Sequence, residues 1–99
     1  MIRKMTVEAI GTLFLVATIG LVVIEPGAGP LAPVAIGSVL MVMVYAGAHI
    51  SGAHYNPAVT LGVLLRGRAT RAELGAYWAA QLVGAALAVP VVRVLKGGY

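Results

Sequence analysis

Residues 46–68 read AGAHISGAHYNPAVTLGVLLRGR. An Asn-Pro-Ala triplet, Asn56 to Ala58, breaks an apolar sequence that resumes only as far as Leu65 before a basic RGR. Proline is favoured at the first position of a helix, where its missing N–H leaves no bond unmade. Asparagine is a favoured N-cap, because its side-chain oxygen accepts from backbone N–H groups of the first turn. The triplet therefore starts a new helix at Pro57, capped by Asn56. A helix of about nine residues reaches only about 14 Å, half of a hydrocarbon core about 30 Å thick. It reads as a half-helix that enters the membrane without crossing it.

The flanking sequence gives that half-helix its setting. Apolar stretches at 5–24, 31–49 and 72–95 are each long enough to cross a bilayer. Two prolines and two glycines in EPGAGP, 25–30, form the first turn. RGRATR, 66–71, is a basic connection, and Pro90 marks a kink late in the last span. Of the 99 residues, 61% are hydrophobic and 10% charged, too little charge for a soluble domain of this size. The expected fold is all-α and membrane-embedded: three transmembrane helices plus one re-entrant half-helix in a single unit, 1–99, without an internal repeat. The first apolar stretch is expected to be retained as a span. Glu8 interrupts its beginning, and no small-residue cleavage site follows.

Charge placement sets an orientation. Arg3, Lys4, Arg66, Arg68 and Arg71 fall at one end of this arrangement, Arg93 and Lys96 at the other. The positive-inside rule then places the N-terminus in the cytoplasm, with the plasma (inner) membrane as the expected location. The net charge of +4 comes from these short clusters and not from a nucleic-acid-binding motif. Without cysteine, neither a disulfide framework nor a thiolate metal site is available. No carboxylate pair, Cys/His cluster or nucleophile–base pair is present. The expectation is a protein that is not an enzyme and uses neither cofactor nor metal.

The physics of the break points to a pore. The half-helix presents its positive dipole end at mid-membrane, and Asn56 keeps an outward-facing NH2 donor. Non-helical backbone at that depth is tolerated only inside protein or along a water-filled cavity. The carbonyls of Gly52, Ala53, His54 and Tyr55 would then line the cavity as acceptors. Small neutral molecules could exchange hydrogen bonds along them, while cations would be repelled by the positive helix end. In the last span Ala76, Ala80, Gly84 and Ala88 recur every fourth residue, a face on which a neighbouring helix can approach closely. Glu8 is open to three readings: an interfacial charge, an ion-coupling carboxylate or a brace for the loop. Tyr45, Tyr77 and Trp78 read as packing or membrane-belt residues.

ISGAHYNPAVTLG, residues 50–62, resembles the first signature motif of the aquaporin and glycerol-facilitator family, the major intrinsic proteins. EAIGT, 8–12, and AYWAAQLVGA, 76–85, are similar to the family's first and third helices. The resemblance covers nearly the whole chain but only the first of the family's two inverted halves. It implies a channel for water or small neutral solutes such as glycerol. Asn56, Pro57 and Ala58 take the pore centre, and the Gly52–Tyr55 carbonyls line one half of the pore. Glu8 takes the position of the carboxylate that holds the re-entrant loop. Ile36 takes the second-helix position of the outer constriction, where many water-selective members carry an aromatic residue or histidine. The implied partners are the lipid bilayer, a second half-channel and, as in the family, a higher oligomer.

The resemblance also implies a second Asn-Pro-Ala motif followed by arginine, and here the only such triplet is followed by Val59. Three readings follow: two copies paired antiparallel, pairing with a separate chain, or a truncated fragment that does not conduct. A different class, a small dual-topology ion- or drug-coupled transporter using Glu8, fits the length but not the re-entrant motif.

Overall fold

The computed structural model describes residues 1–97. Among these residues four α-helices follow one another: α1 (Ile2–Val23), α2 (Ala32–Ser51), α3 (Pro57–Leu65) and α4 (Arg71–Leu95), with a 3-10 turn at Gly29–Leu31 leading into α2. By length and composition, α1, α2 with its leading turn, and α4 can each cross a membrane. The longest dimension of the chain is 41 Å, close to the full thickness of a bilayer with its headgroups.

The helices run past the apolar stretches that mark them in the sequence. α1 takes in Arg3 and Lys4, and α4 starts at Arg71. Hydropathy marks how far a helix is immersed, whereas its ends are set by caps and turn residues. At α4 the cap is a complete capping box: Thr70 Oγ1 accepts from Glu73 N at 3.1 Å, and Thr70 N donates to Glu73 Oε1 at 2.9 Å. α2 continues to Ser51 and stops where Gly52 turns left-handed at φ +87°. α4 runs as one helix through Pro90.

α1 is the centre of the arrangement, packed against both α4 and α2, while α3 lies against α4. Small residues make the α1–α4 contact close. Ala80, Gly84 and Ala88 are buried and Ala76 is half-buried. A Cβ on Gly84 would run into the Ala9 carbonyl of α1. The apolar core consists of Ala17, Ala88 and Val92, with Val16, Leu21 and Val91 packed around them. Most of the large apolar side chains instead face outward, as expected of helices whose solvent is lipid.

Candidate channel site

Five residues, 52–56, carry the chain from the end of α2 to the start of α3. Their backbone is unusual: Ala53 (φ 54°) and Tyr55 (φ 55°) both adopt the left-handed conformation that non-glycine residues avoid. Such a conformation persists only where surrounding contacts over-determine it. Here Glu8 of α1 supplies them. Its Oε2 accepts from Ser51 Oγ at 2.7 Å and His54 N at 3.1 Å; its Oε1 accepts from Tyr55 N and from Gln81 Nε2, both at 2.8 Å. The neighbouring Ala53 N donates to Ser51 Oγ at 3.1 Å. Glu8 is fully buried, so it is not an interfacial charge.

Those bonds dictate where the carbonyls go. In a trans peptide the N–H of one residue and the C=O of the residue before it point in opposite directions. The N–H groups of Ala53, His54 and Tyr55 all turn inward, to Ser51 and Glu8. The carbonyls of Gly52, Ala53 and His54 are therefore directed away from the buried carboxylate. Among the described residues they accept no hydrogen bond, and neither does the carbonyl of Tyr55.

Asn56 has the extended backbone of an N-cap, and its Oδ1 accepts from Ala58 N at 2.8 Å. That use of the oxygen fixes the amide. Nδ2 points away from the helix as a donor, without a partner among the described residues, and the side chain is exposed. Pro57 follows at the first helical position, and Ala58 is exposed.

α4 clamps this assembly from the other side. Tyr77 Oη donates to Ser51 O at 2.6 Å, Trp78 Nε1 to Pro57 O at 3.0 Å, and Gln81 Nε2 to Thr60 Oγ1 at 2.9 Å. Tyr77 and Trp78 thus hold the ends of the loop and are not simple belt residues, whereas Tyr45 is 83% exposed on α2. His54 Nδ1 lies 3.0 Å from Thr60 Oγ1, and its ring rests against Tyr77 at a centroid distance of 4.9 Å. The Tyr55 ring is wedged between α1 and α2, where a Cβ on either Gly11 or Gly47 would strike it, and its hydroxyl donates to Met43 O at 2.7 Å.

The structure thus gathers Glu8, Gly52, Ala53, His54, Tyr55, Asn56, Pro57 and Ala58 at one place. Ile36 is not among them: it is half-buried on α2, fifteen residues before Ser51, or about 22 Å along the helix. Ser51, Thr60 and Gln81 join the site without having been singled out from the sequence, and Tyr77 and Trp78 join it beyond their reading as packing or belt residues. Gln81 did carry a signal, as an amide in the middle of an apolar span. Its Oε1 and the Thr12 hydroxyl are buried and without a protein partner.

Three bilayer-length helices with a short capped helix folded back between them define an integral membrane protein with a re-entrant segment. The family model described as "Major intrinsic protein" matches residues 1–99, and the chain belongs to that family. It is 44% identical over 103 residues to Aquaporin NIP1-1 of Zea mays, an alignment covering 98% of this chain and 36% of that protein. It is 37% identical over 105 residues to Aquaporin Z of Brucella melitensis biotype 1, covering 99% of this chain and 46% of the relative. The chain thus spans less than half the length of these curated relatives.

Proposed function

We propose that the chain supplies one half of a membrane channel for water or small neutral solutes such as glycerol, and conducts after pairing with a second half. The observation that carries this reading is the polarity of the re-entrant segment. Glu8 draws the loop N–H groups inward, which leaves a ladder of free carbonyl acceptors ending at the free Nδ2 donor of Asn56. A neutral molecule that both donates and accepts can replace its water partners step by step along such a ladder. A cation meets the positive end of α3. Gly52, Ala53, His54, Tyr55 and Asn56 to Ala58 are the solute-contacting residues in this reading. Ile36 contributes an apolar outer constriction.

A second feature supports pairing. Above α3, the face between α1 and α4 opens into a mainly apolar groove of about 470 Å³ lined by Val16, Gly20, Ile24, Ala88, Val89 and Val92, with Arg93 at its edge. Ala88 and Val92 stand seven and eleven residues after Gln81, and Val89 eleven after Trp78, so they share the side of α4 that holds α3. An inverted second half would bring its own half-helix to that groove, end to end with α3. The occupant is a second copy inserted antiparallel or a separate chain, within a higher oligomer. The charge distribution gives the chain a preferred orientation, N-terminus in the cytoplasm and embedded in the plasma membrane. Transport coupled to Glu8 is disfavoured, because four donors and complete burial leave that carboxylate no access to a passing ion.

The test is osmotic permeability of proteoliposomes by stopped-flow light scattering. Antiparallel pairing requires water or glycerol permeability above the lipid background, lost in Asn56→Leu. Background permeability with both orientations demonstrably present overturns it and leaves the separate-chain form, tested by adding a relative's second half.

A further inference from the structure

At the basic end of the molecule lies a polar cavity walled in part by Gly52 and His54 of the re-entrant loop. It has a volume of about 280 Å³ and is lined by Lys4, Gly52, His54, Arg68, Glu73 and Tyr77, among others. Its floor belongs to the buried network, since Thr60 and Ser51 also line it.

The cavity is rich in donors. Thr60 Oγ1 accepts from Gln81 Nε2 at 2.9 Å and has one proton of its own. His54 Nδ1, at 3.0 Å, is a nearer acceptor for that proton than Asn56 O at 3.4 Å. The network therefore assigns the histidine proton to Nε2, beside Gly52 at the cavity wall. Lys4 Nζ spends one hydrogen bond on Glu73 Oε2 at 3.4 Å and has others to give. The Arg68 guanidinium makes no hydrogen bond or ion pair among the described residues. Glu73, the one acidic group in the lining, is already engaged at both oxygens, by Lys4 and by Thr70. Lys4 and Arg68 outnumber Glu73 in the lining, and the Glu8 carboxylate behind Ser51 and His54 is held by four donors.

A wall with an ammonium, a guanidinium and an imidazole N–H, and with its carboxylate neutralised, suits a compact anion with several acceptor oxygens. We propose that this cavity binds a phosphate group, either free or as the headgroup of an anionic lipid. The bound phosphate would join Lys4 of α1, His54 of the loop and Arg68 of the α3–α4 connection, and so brace the half-helix from behind. The proposal is independent of whether the chain conducts.

The test uses the full chain in detergent micelles. Binding of inorganic phosphate is followed by 31P NMR, and retention of phosphatidate against phosphatidylcholine by native mass spectrometry. Lys4→Gln and Arg68→Gln are expected to weaken binding about tenfold each, the loss of one charge-assisted contact. Arg66→Gln, a cation at the same end but outside the cavity, is expected to leave it within about twofold. Helicity by circular dichroism confirms that each variant folds. Phosphate binding at submillimolar concentration identifies the free anion; retention of phosphatidate alone identifies a lipid headgroup. Failure to bind either, or equal losses in Arg66→Gln and Arg68→Gln, overturns the proposal, the latter because generic surface charge would then account for the binding.

Discussion

The two ends of the α1–α4 pair are built on opposite principles. Towards the basic end, the buried side chains that carry polar atoms are Glu8, Thr12, Ser51, Tyr55, Thr60, Tyr77 and Gln81, and hydrogen bonds of 2.6–3.1 Å link most of them into one network. Towards the other end, Ala17, Ala88 and Val92 meet by shape alone beside an open apolar groove. In lipid the two arrangements differ in kind. Apolar packing gains little over contact with acyl chains, whereas a polar group removed from water must find its partners inside the protein. The polar end therefore fixes a single loop geometry, including two left-handed non-glycine residues. The apolar end is free to exchange lipid for a partner. In the proposed channel, the segment whose carbonyls face the pore lies at the first end and the assembly surface at the second.

The largest predicted effect comes from the carboxylate that makes the difference. Glu8→Gln replaces one acceptor oxygen by an NH2 group facing donors that cannot turn away. It should destabilise the chain by about 3 kcal/mol or more, read as a lowered midpoint of thermal unfolding in detergent by circular dichroism. A loss of under about 1 kcal/mol would mean that the loop holds its shape without Glu8 and would erase the contrast between the two ends.

Two glycines of α1 compare the ends directly. A methyl at Gly11 meets the Tyr55 ring, which is held at both extremities, by Glu8 through its N–H and by Met43 O through its hydroxyl. A methyl at Gly20 lies 2.8 Å from a Val92 methyl at the border of the groove. Gly11→Ala should cost about 2 kcal/mol, and Gly20→Ala under about 1 kcal/mol, by the same unfolding measurement. Equal costs would show that the outer end is as rigid as the inner.

A smaller effect is expected where α4 holds the start of α3. Trp78→Phe keeps an aromatic ring but removes the bond to Pro57 O, for a loss of about 1 kcal/mol. Because the chain contains no cysteine, a single cysteine at Ala58 can report the local change. Its labelling rate should rise in Trp78→Phe. An unchanged rate would place control of the half-helix with Gln81 and Thr60 alone.

The sequence revealed these two ends unequally. Asn56-Pro57 is legible because a cap and a first-turn proline act through the local backbone, and Glu8 because a carboxylate in an apolar span demands explanation. Ser51 and Thr60 are not legible. A serine or threonine in a helix can satisfy itself on the preceding turn, as Thr6 does on Ile2 O at 2.8 Å and Ser38 on Val34 O at 2.7 Å. Nothing in one sequence separates those from the two that cross-link helices. The roles of Gly11 and Gly47 are equally hidden, since each is defined by a tyrosine ring arriving from a distant loop. The groove is hidden for the opposite reason: apart from Ile24 and Arg93, its lining consists of the Val, Ala and Gly that make up the spans everywhere.

The groove offers the smallest effect on stability and the sharpest test of what the apolar end is for. Val89 is 55% exposed and lines it. Val89→Phe extends an apolar side chain into space that lipid or a partner would fill, disturbs no hydrogen bond and should change unfolding by no more than about 0.5 kcal/mol. If the groove receives a second half-helix, the same substitution should abolish pairing, measured as loss of cysteine cross-linking between copies or to an added second half. Val94→Phe, on the same helix at a 79% exposed position outside the groove lining, should leave pairing intact. Pairing that survives Val89→Phe would assign the groove to lipid. The contrast between the two ends would then describe stability alone and not assembly.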